Sequence, residues 1–196
     1  RIWLFNKHTG SIRPLHIEDP DINYMLKYAG RSLNLANGSD GSLLLISNTV
    51  SRLDKATGNC TRIGFDIGNQ SNGNLMSISR SDEGLWMHDY YNIYLQPDGE
   101  SRLLRKGHTN KHMINCGHLD ADGTIWLATD EGLCRFDTKD GTFSHVHTTL
   151  LNKAASVVCD RRSRIWVGTD NGLYAYLKDS GSFTLFGESD GAAPNE

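Results

Sequence analysis

The sequence predicts an all-β fold, a β-propeller of four-stranded antiparallel blades, here an incomplete arc of about four and a half blades of a larger ring. Three observations lead there. Trp86, Trp126 and Trp166 recur at intervals of 40 residues, and Leu44 holds the same place one unit earlier. Within each unit, short runs rich in β-branched and aromatic residues alternate with Gly/Asp/Asn turns, and no segment sustains a helical period between its turns. A unit of about 40 residues holds four strands and their turns, whereas a leucine-rich repeat is about half as long.

The elements follow in order. Residues 1–17 contain "FNKHTGSI", which echoes "LDKATGNC" at 53–60 and reads as the third and fourth strands of a blade. Full blades are expected over 30–65, 73–106, 113–148 and 155–187, and 188–196 reads as the link to a next blade. Between 18 and 31 runs the longest connection, with the best helical candidate, "DINYMLKYA" at 21–29. Polar turns separate the first and second strands: "GSDG" (38–41), "SDEG" (81–84), "DADG" (120–123) and "DRRS" (160–163). The second strand then carries the tryptophan or Leu44, and its regular recurrence marks packing between blades rather than ligand contact. Gly132 and Gly172 share one place in the next turn, and Gly58, Gly99, Gly141 and Gly181 share one in the turn after it. Such turns often need a positive φ, which glycine adopts without steric cost. "GESDGAAPNE" after Phe186 is too short for the two strands that would complete the opening blade, so an open arc is expected. An open arc leaves strand edges and inter-blade faces uncovered.

Composition narrows the function. With 196 residues and a net charge of −3 there is no global basic field for nucleic acid. The local basic stretch "SRLLRKGHTNKHM" (101–113) reads as a solvated strand edge and loop. No apolar run approaches the roughly 18 residues of a membrane helix, so the segment reads as soluble, whatever larger protein it belongs to. Cys60, Cys116, Cys134 and Cys159 lack metal-type spacing, and buried thiols are expected, with a disulfide left open. His108 and His112 lie four apart, and His145 and His147 share a strand face, but neither pair has a third ligand beside it. No metal or other cofactor is expected. Asp120 and Asp122 sit in a recurring turn and shape it rather than act as acid and base. No G-x-S-x-G and no phosphate loop occurs.

In a meander, successive turns lie on opposite edges. The turn from second to third strand therefore shares one face, the upper one, with the connections between blades. Repeats carry the fold, so function is sought where they break on that face. "MHDYYN" breaks the pattern most: His88, Asp89, Tyr90, Tyr91 and Asn92 replace the glycine-containing turn with two aromatics and three hydrogen-bonding groups. Sugars bind where aromatic faces meet C–H surfaces and polar side chains take the hydroxyls. "KGHTNKH" (106–112) adds Lys106, His108, Asn110, Lys111 and His112, a set suited to an acidic sugar. The 18–31 connection offers Tyr24, Lys27, Tyr28 and Arg31.

"DADGTIWLATDEGLCRFDTKDGTFSHV" and "DRRSRIWVGTDNGLYAYLKDSGSFTLF" resemble the two-component regulator propeller repeat. The copy with Trp166 matches most fully, through Gly168, Thr169, Gly172 and Leu173; Ala128 replaces one glycine in the copy with Trp126. The copies with Trp86 and Leu44 depart further. The resemblance implies the periplasmic, ligand-sensing part of a membrane-spanning hybrid histidine kinase of Bacteroidetes, responding to oligosaccharides and controlling genes for glycan use. It implies as partners an oligosaccharide and the remaining blades and downstream signalling domains of the same polypeptide, with no nucleic acid bound by this region; a homodimer is left open. This chain itself is then no enzyme. A protein-interaction scaffold is the alternative. "SRLDKATG" (51–58) also resembles the streptogramin lyases, propeller enzymes for which His88 or His112 would be the candidate base.

Overall fold

A computed structural model of the chain describes residues 3–14, 34–46, 50–57, 59–63, 75–100, 103–146 and 153–191. The helical candidate at 21–29, with Tyr24, Lys27, Tyr28 and Arg31, lies outside the described residues, as does His147. The alternating pattern folds as short antiparallel strands. β1 (Trp3–Phe5) and β2 (Ile12–Pro14) form a hairpin. Blade 1 comprises β3 (Asn34–Asn37), β4 (Leu43–Ile46), β5 (Val50–Leu53) and β6 (Cys60–Ile63). Blade 2 comprises β7 (Met76–Ser81), β8 (Gly84–His88), β9 (Asn92–Pro97) and β10 (Leu104–His108). β11 (Ile114–Leu119), β12 (Thr124–Thr129), β13 (Gly132–Asp137) and β14 (Phe143–His145) make blade 3. Blade 4 is β15 (Ala154–Cys159), β16 (Arg164–Thr169), β17 (Gly172–Leu177) and β18 (Ser182–Phe186), followed by a 3-10 turn at Glu188–Asp190.

Every blade is a meander in chain order. The first strands β3, β7, β11 and β15 neighbour one another in turn, so they form the inner edge of the arc and the fourth strands the outer edge. The core lies between blades rather than within them. Trp86 in β8 meets Phe136 of the next blade edge-on at 6.4 Å, and Trp126 in β12 meets Tyr176 at 5.7 Å. Each aromatic side chain of this kind contributes about 1.5–3 kcal/mol by leaving water. Trp166 is half-buried, against Phe186 of its own blade and under the Arg164 guanidinium, 4.8 Å from its ring centroid.

Two of the lower turns hold the tryptophan of their own blade, and a third reaches the next blade. Asp160 accepts from Trp166 Nε1 at 2.8 Å, and Ser81 accepts from Trp86 Nε1 at 3.2 Å. In blade 3, Asp120 takes the corresponding place but pairs instead with Lys178 of blade 4, which also donates to Asp122 at 3.2 Å. Trp126 Nε1 has no protein partner. A cross-blade tie has replaced the local one.

Blade 2 has the tightest of these turns, two residues between Ser81 and Gly84. Gly84 has φ 140°, and a Cβ there would strike the Gln96 carbonyl oxygen across the sheet. Gly84→Ala should therefore destabilise the fold by about 1–3 kcal/mol, read as a lower urea midpoint. An unchanged midpoint would contradict this packing.

Candidate functional site

The upper face is built by the turns after the second strands and by the connection between blades 2 and 3. That connection, residues 109–113, is tied to both neighbours. Ile114 N donates to Tyr90 O at 2.7 Å and Thr109 N to Tyr91 O at 2.9 Å, on the blade 2 side. On the blade 3 side, Met113 N donates to Asp130 Oδ1 at 2.8 Å and Asp130 N to Met113 O at 3.1 Å. The turns and the connection thus share a face, as strand polarity requires.

The regular upper turn is held by a threonine. Thr129 Oγ1 donates to Gly132 O at 2.9 Å and accepts from Glu131 N, and Thr169 does the same with Gly172 and Asn171. In blade 2 the pair becomes Asp89 and Asn92 at the same spacing. The turn stays as short, closed by Asp89 N donating to Asn92 O at 3.1 Å. Asp89 Oδ1 accepts from Tyr91 N at 2.8 Å and from Asn92 N at 2.7 Å, its carboxylate also takes Asn92 Nδ2, and Oδ2 accepts from Tyr94 OH at 2.8 Å. Burial pushes this carboxyl up, but the donors from Tyr91, Asn92 and Tyr94 outweigh it and hold the pKa below the ordinary value. Tyr94 is held in the opposite direction, above the ordinary phenol value, by burial first and then by the bond to Asp89.

His88, Asp89 and Asn92 are all buried. The His88 ring donates from Nδ1 to the Asp89 carbonyl at 2.9 Å, and burial lowers its pKa to about 4. These three residues build the turn from inside; Tyr90 and Tyr91 are what the turn presents. Tyr90 is 41% exposed, and the half-buried Tyr91 ring lies 6.4 Å from that of His108. Asn92 Oδ1 bonds His108 Nδ1 at 2.8 Å, fixing the exposed imidazole beside the turn. Asn110, in the left-handed region at φ 61°, and Lys111 stand exposed at the tip of the connection.

The structure therefore brings Tyr90, Tyr91, His108 and Lys111 to one face. It keeps Lys106 in blade 2, where the 73–106 blade ends, and extends that blade's last strand, β10, to His108, which was expected beyond it. A bulge between Arg105 and Gly107 carries the strand on to His108, opposite Asn92. Gly107 lets that strand lie on blade 3, where a Cβ would press into the Phe136 and Phe143 rings. Lys106 is exposed within this outer strand, below the connection. His112 turns toward blade 3. Its ring packs edge-on against His145 at 4.4 Å, and its Nδ1 lies 3.3 Å from Glu131 Oε2.

Cys134 lies 3.6 Å from His145 Nδ1, and burial raises its thiol to about 11. Cys159 is raised to about 12, by burial first and then by Asp120. Both thiols stay protonated at neutral pH, so neither is an activated nucleophile. Among the described residues, no group of three or more His, Cys, Asp or Glu side chains is arranged to hold a metal ion.

No family model and no curated protein sequence matches the chain. Solved structures do. The extracellular domain of a hybrid two-component system from B. thetaiotaomicron shares 18% identity at a TM-score of 0.65, covering 93% of this chain and 25% of that one. Virginiamycin B lyase from Staphylococcus aureus shares 16% at 0.67, covering 94% of this chain and 61% of the lyase. A chain of a nidogen/laminin complex shares 10% at 0.68, covering 96% of this chain and 72% of that one. The chain thus spans about a quarter of the sensor domain and three fifths of the lyase. These likenesses establish the β-propeller fold.

Proposed function

We propose that this chain is a segment of an extracytoplasmic ligand-sensing propeller of a hybrid two-component system, with an oligosaccharide recognised on the upper face. One observation carries the reading. The repeat breaks at Asp89–Asn92 without lengthening the turn, and the break swaps Asp130 and Glu131 of the regular copy for two tyrosines on a preorganised frame. Such a platform offers ring faces to sugar C–H groups, with His108 and Lys111 beside it for hydroxyls or a carboxylate. Similarity to an extracellular sensor domain supports the class, and the repeat resemblance supports it independently. In that reading the remaining blades, a membrane span, the kinase and the transcriptional output belong to the same polypeptide, and this segment binds without turnover.

The test is a thermal-shift screen of the chain against neutral and acidic plant and host oligosaccharides, with a Tyr90→Ala/Tyr91→Ala variant beside the wild type. Ligand at about 100 times Kd adds about 2.7 kcal/mol to stability. The expected result is a shift with one sugar class, lost in the variant, with the sugar recovered intact. A shift that survives in the variant overturns the site. No shift with any sugar overturns the sensor reading in favour of an interaction scaffold. Consumption of the ligand would make the chain an enzyme. The lyase-like reading has no support from His88, whose imidazole is buried behind the turn and engaged by the Asp89 carbonyl.

A further inference from the structure

Blades 3 and 4 build their lower turns on one backbone pattern. Asp120 N donates to Thr124 O and Gly123 N to Asp120 O; Asp160 N donates to Arg164 O and Ser163 N to Asp160 O. Each aspartate stands six residues before its blade's tryptophan, Trp126 or Trp166. Their side chains nevertheless make different bonds. Asp160 Oδ1 accepts from Arg162 N at 2.8 Å and Arg164 N at 3.1 Å, and Oδ2 takes Trp166 Nε1 and Arg164 Nε. Asp120 is turned away from its tryptophan. Its Oδ1 takes Ala121 N at 2.7 Å, its Oδ2 takes the Lys178 ammonium of blade 4, and the place at Thr124 N is filled by Asp122 Oδ1 at 2.9 Å.

This arrangement costs blade 3 a hydrogen bond. Trp126 is 4% exposed, and its Nε1–H is buried with no acceptor. An unmet buried donor favours any arrangement that returns an acceptor to it. Asp120 shares the backbone of Asp160, so it reaches the side-chain position of Asp160 by rotation about its own bonds. Lys178 would then keep Asp122, whose Oδ2 is already 3.2 Å from Nζ. Neither arrangement satisfies every group. The observed one orphans the indole. The alternative leaves Lys178 a carboxylate side chain that is 52% exposed in place of one that is 7% exposed. A pair in contact with water is the weaker tie.

We propose that Asp120 is a two-position latch at the lower end of the interface between blades 3 and 4. Bound to Lys178, it ties the blades together. Bound to Trp126 Nε1, it belongs to blade 3 alone, and the Asp122–Lys178 pair is left to join the two lower turns. The Lys178 ammonium selects the first position. Salt weakens that ion pair more than a hydrogen bond from a neutral indole, so ions at the lower face shift the latch toward the second position. The inference stands whether or not the upper face binds a sugar.

Indole proton–nitrogen NMR of the full chain tests it. The sample is held at about pH 7.5, where His118, kept below the ordinary histidine value by burial against the pull of Asp120, is uncharged. Trp126→Phe assigns the Trp126 signal, and the hydrogen-bonded Trp166 indole is the reference. Lys178→Met removes the ammonium and keeps most of the side-chain length. Asp120→Ala/Lys178→Met removes the acceptor as well. In the wild type the Trp126 signal is expected upfield of Trp166. In Lys178→Met it should move downfield and exchange with solvent at least tenfold more slowly, and the double variant should reverse both changes. Raising NaCl from about 0.05 to about 1 M should move the wild-type signal part of the way in the same direction. A Trp126 signal that stays in place in folded Lys178→Met would overturn the latch, as would one that stays moved in the double variant, which would assign the new bond to another acceptor. A wild-type signal level through the salt series would mean one fixed position and would overturn it too, whether or not Lys178→Met folds.

Discussion

Asp89→Ala is expected to be the most damaging single substitution on the upper face, costing about 3–5 kcal/mol of folding stability. The carboxylate is fully buried and satisfies two backbone amides, the Asn92 side chain and the Tyr94 hydroxyl. Truncation leaves several buried donors without an acceptor, at about 1–3 kcal/mol for each that cannot find water. Asp89→Asn keeps one acceptor oxygen but turns an amide toward groups that donate, so its loss should be smaller yet clear. Asp89→Thr copies the residue at Thr129 and Thr169, but it leaves Tyr94 OH and Asn92 Nδ2 unanswered and should rescue only in part. Urea unfolding reads all three. A loss below about 1 kcal/mol for the alanine variant would mean that Asp89 does not hold the turn.

Acid should destabilise the fold through His88 before it reaches any carboxylate. The imidazole has a pKa of about 4 in the folded chain against 6.5 unfolded, because burial disfavours the charged form. The unfolded state thus binds more protons between these values. Stability is complete above pH 6.5 and falls as the pH drops toward 4, by about 3 kcal/mol in all. Asp89 acts at lower pH. Its folded pKa lies below 3.8, so its contribution is present above that value and is lost as the pH falls through the folded pKa. Unfolding curves from pH 7 down to 4 should show the first loss in the wild type. His88→Gln should remove most of the loss in that stretch, leaving the part owed to His118, whose pKa burial also lowers, and the steeper loss below it. A wild-type curve level to pH 4 would place His88 in contact with water.

The fold was legible because the inter-blade core is periodic. Each tryptophan must meet the next blade at the same depth, so Trp86, Trp126 and Trp166 mark the second strand and set the phase for the weaker copy with Leu44. Strand polarity then identified the face that turns and connections share, and the hydrogen bonds of Met113, Ile114 and Asp130 bear it out. The candidate site was legible as a break in the pattern, less so in its chemistry. "HDYYN" reads as five residues open to a ligand, yet three face inward. Burial is decided by packing from neighbouring strands, which no local pattern reports. The identical spacing of Asp89–Asn92 and Thr129–Gly132 was the available clue, since a turn of unchanged length needs its inner polar groups for itself.

The end of β10 at His108, two residues past the expected blade end at 106, is hidden for a related reason. A bulge shifts the strand end by one residue and leaves only a weak trace, here Gly107. The altered packing between blades 1 and 2 also has a trace in the sequence, Leu44 in place of tryptophan. Its counterpart Gln96 shows only when cross-strand register aligns it with Phe136 and Tyr176.

The most direct test of the account is amide hydrogen exchange across the upper face, with and without the sugar that shifts the melting temperature. The account predicts added protection confined to residues 89–92 and 108–114, with the regular turns at Thr129–Gly132 and Thr169–Gly172 unchanged. Equal protection at all three turns, or protection only at the regular ones, would contradict the claim that this propeller works where its repeat is broken.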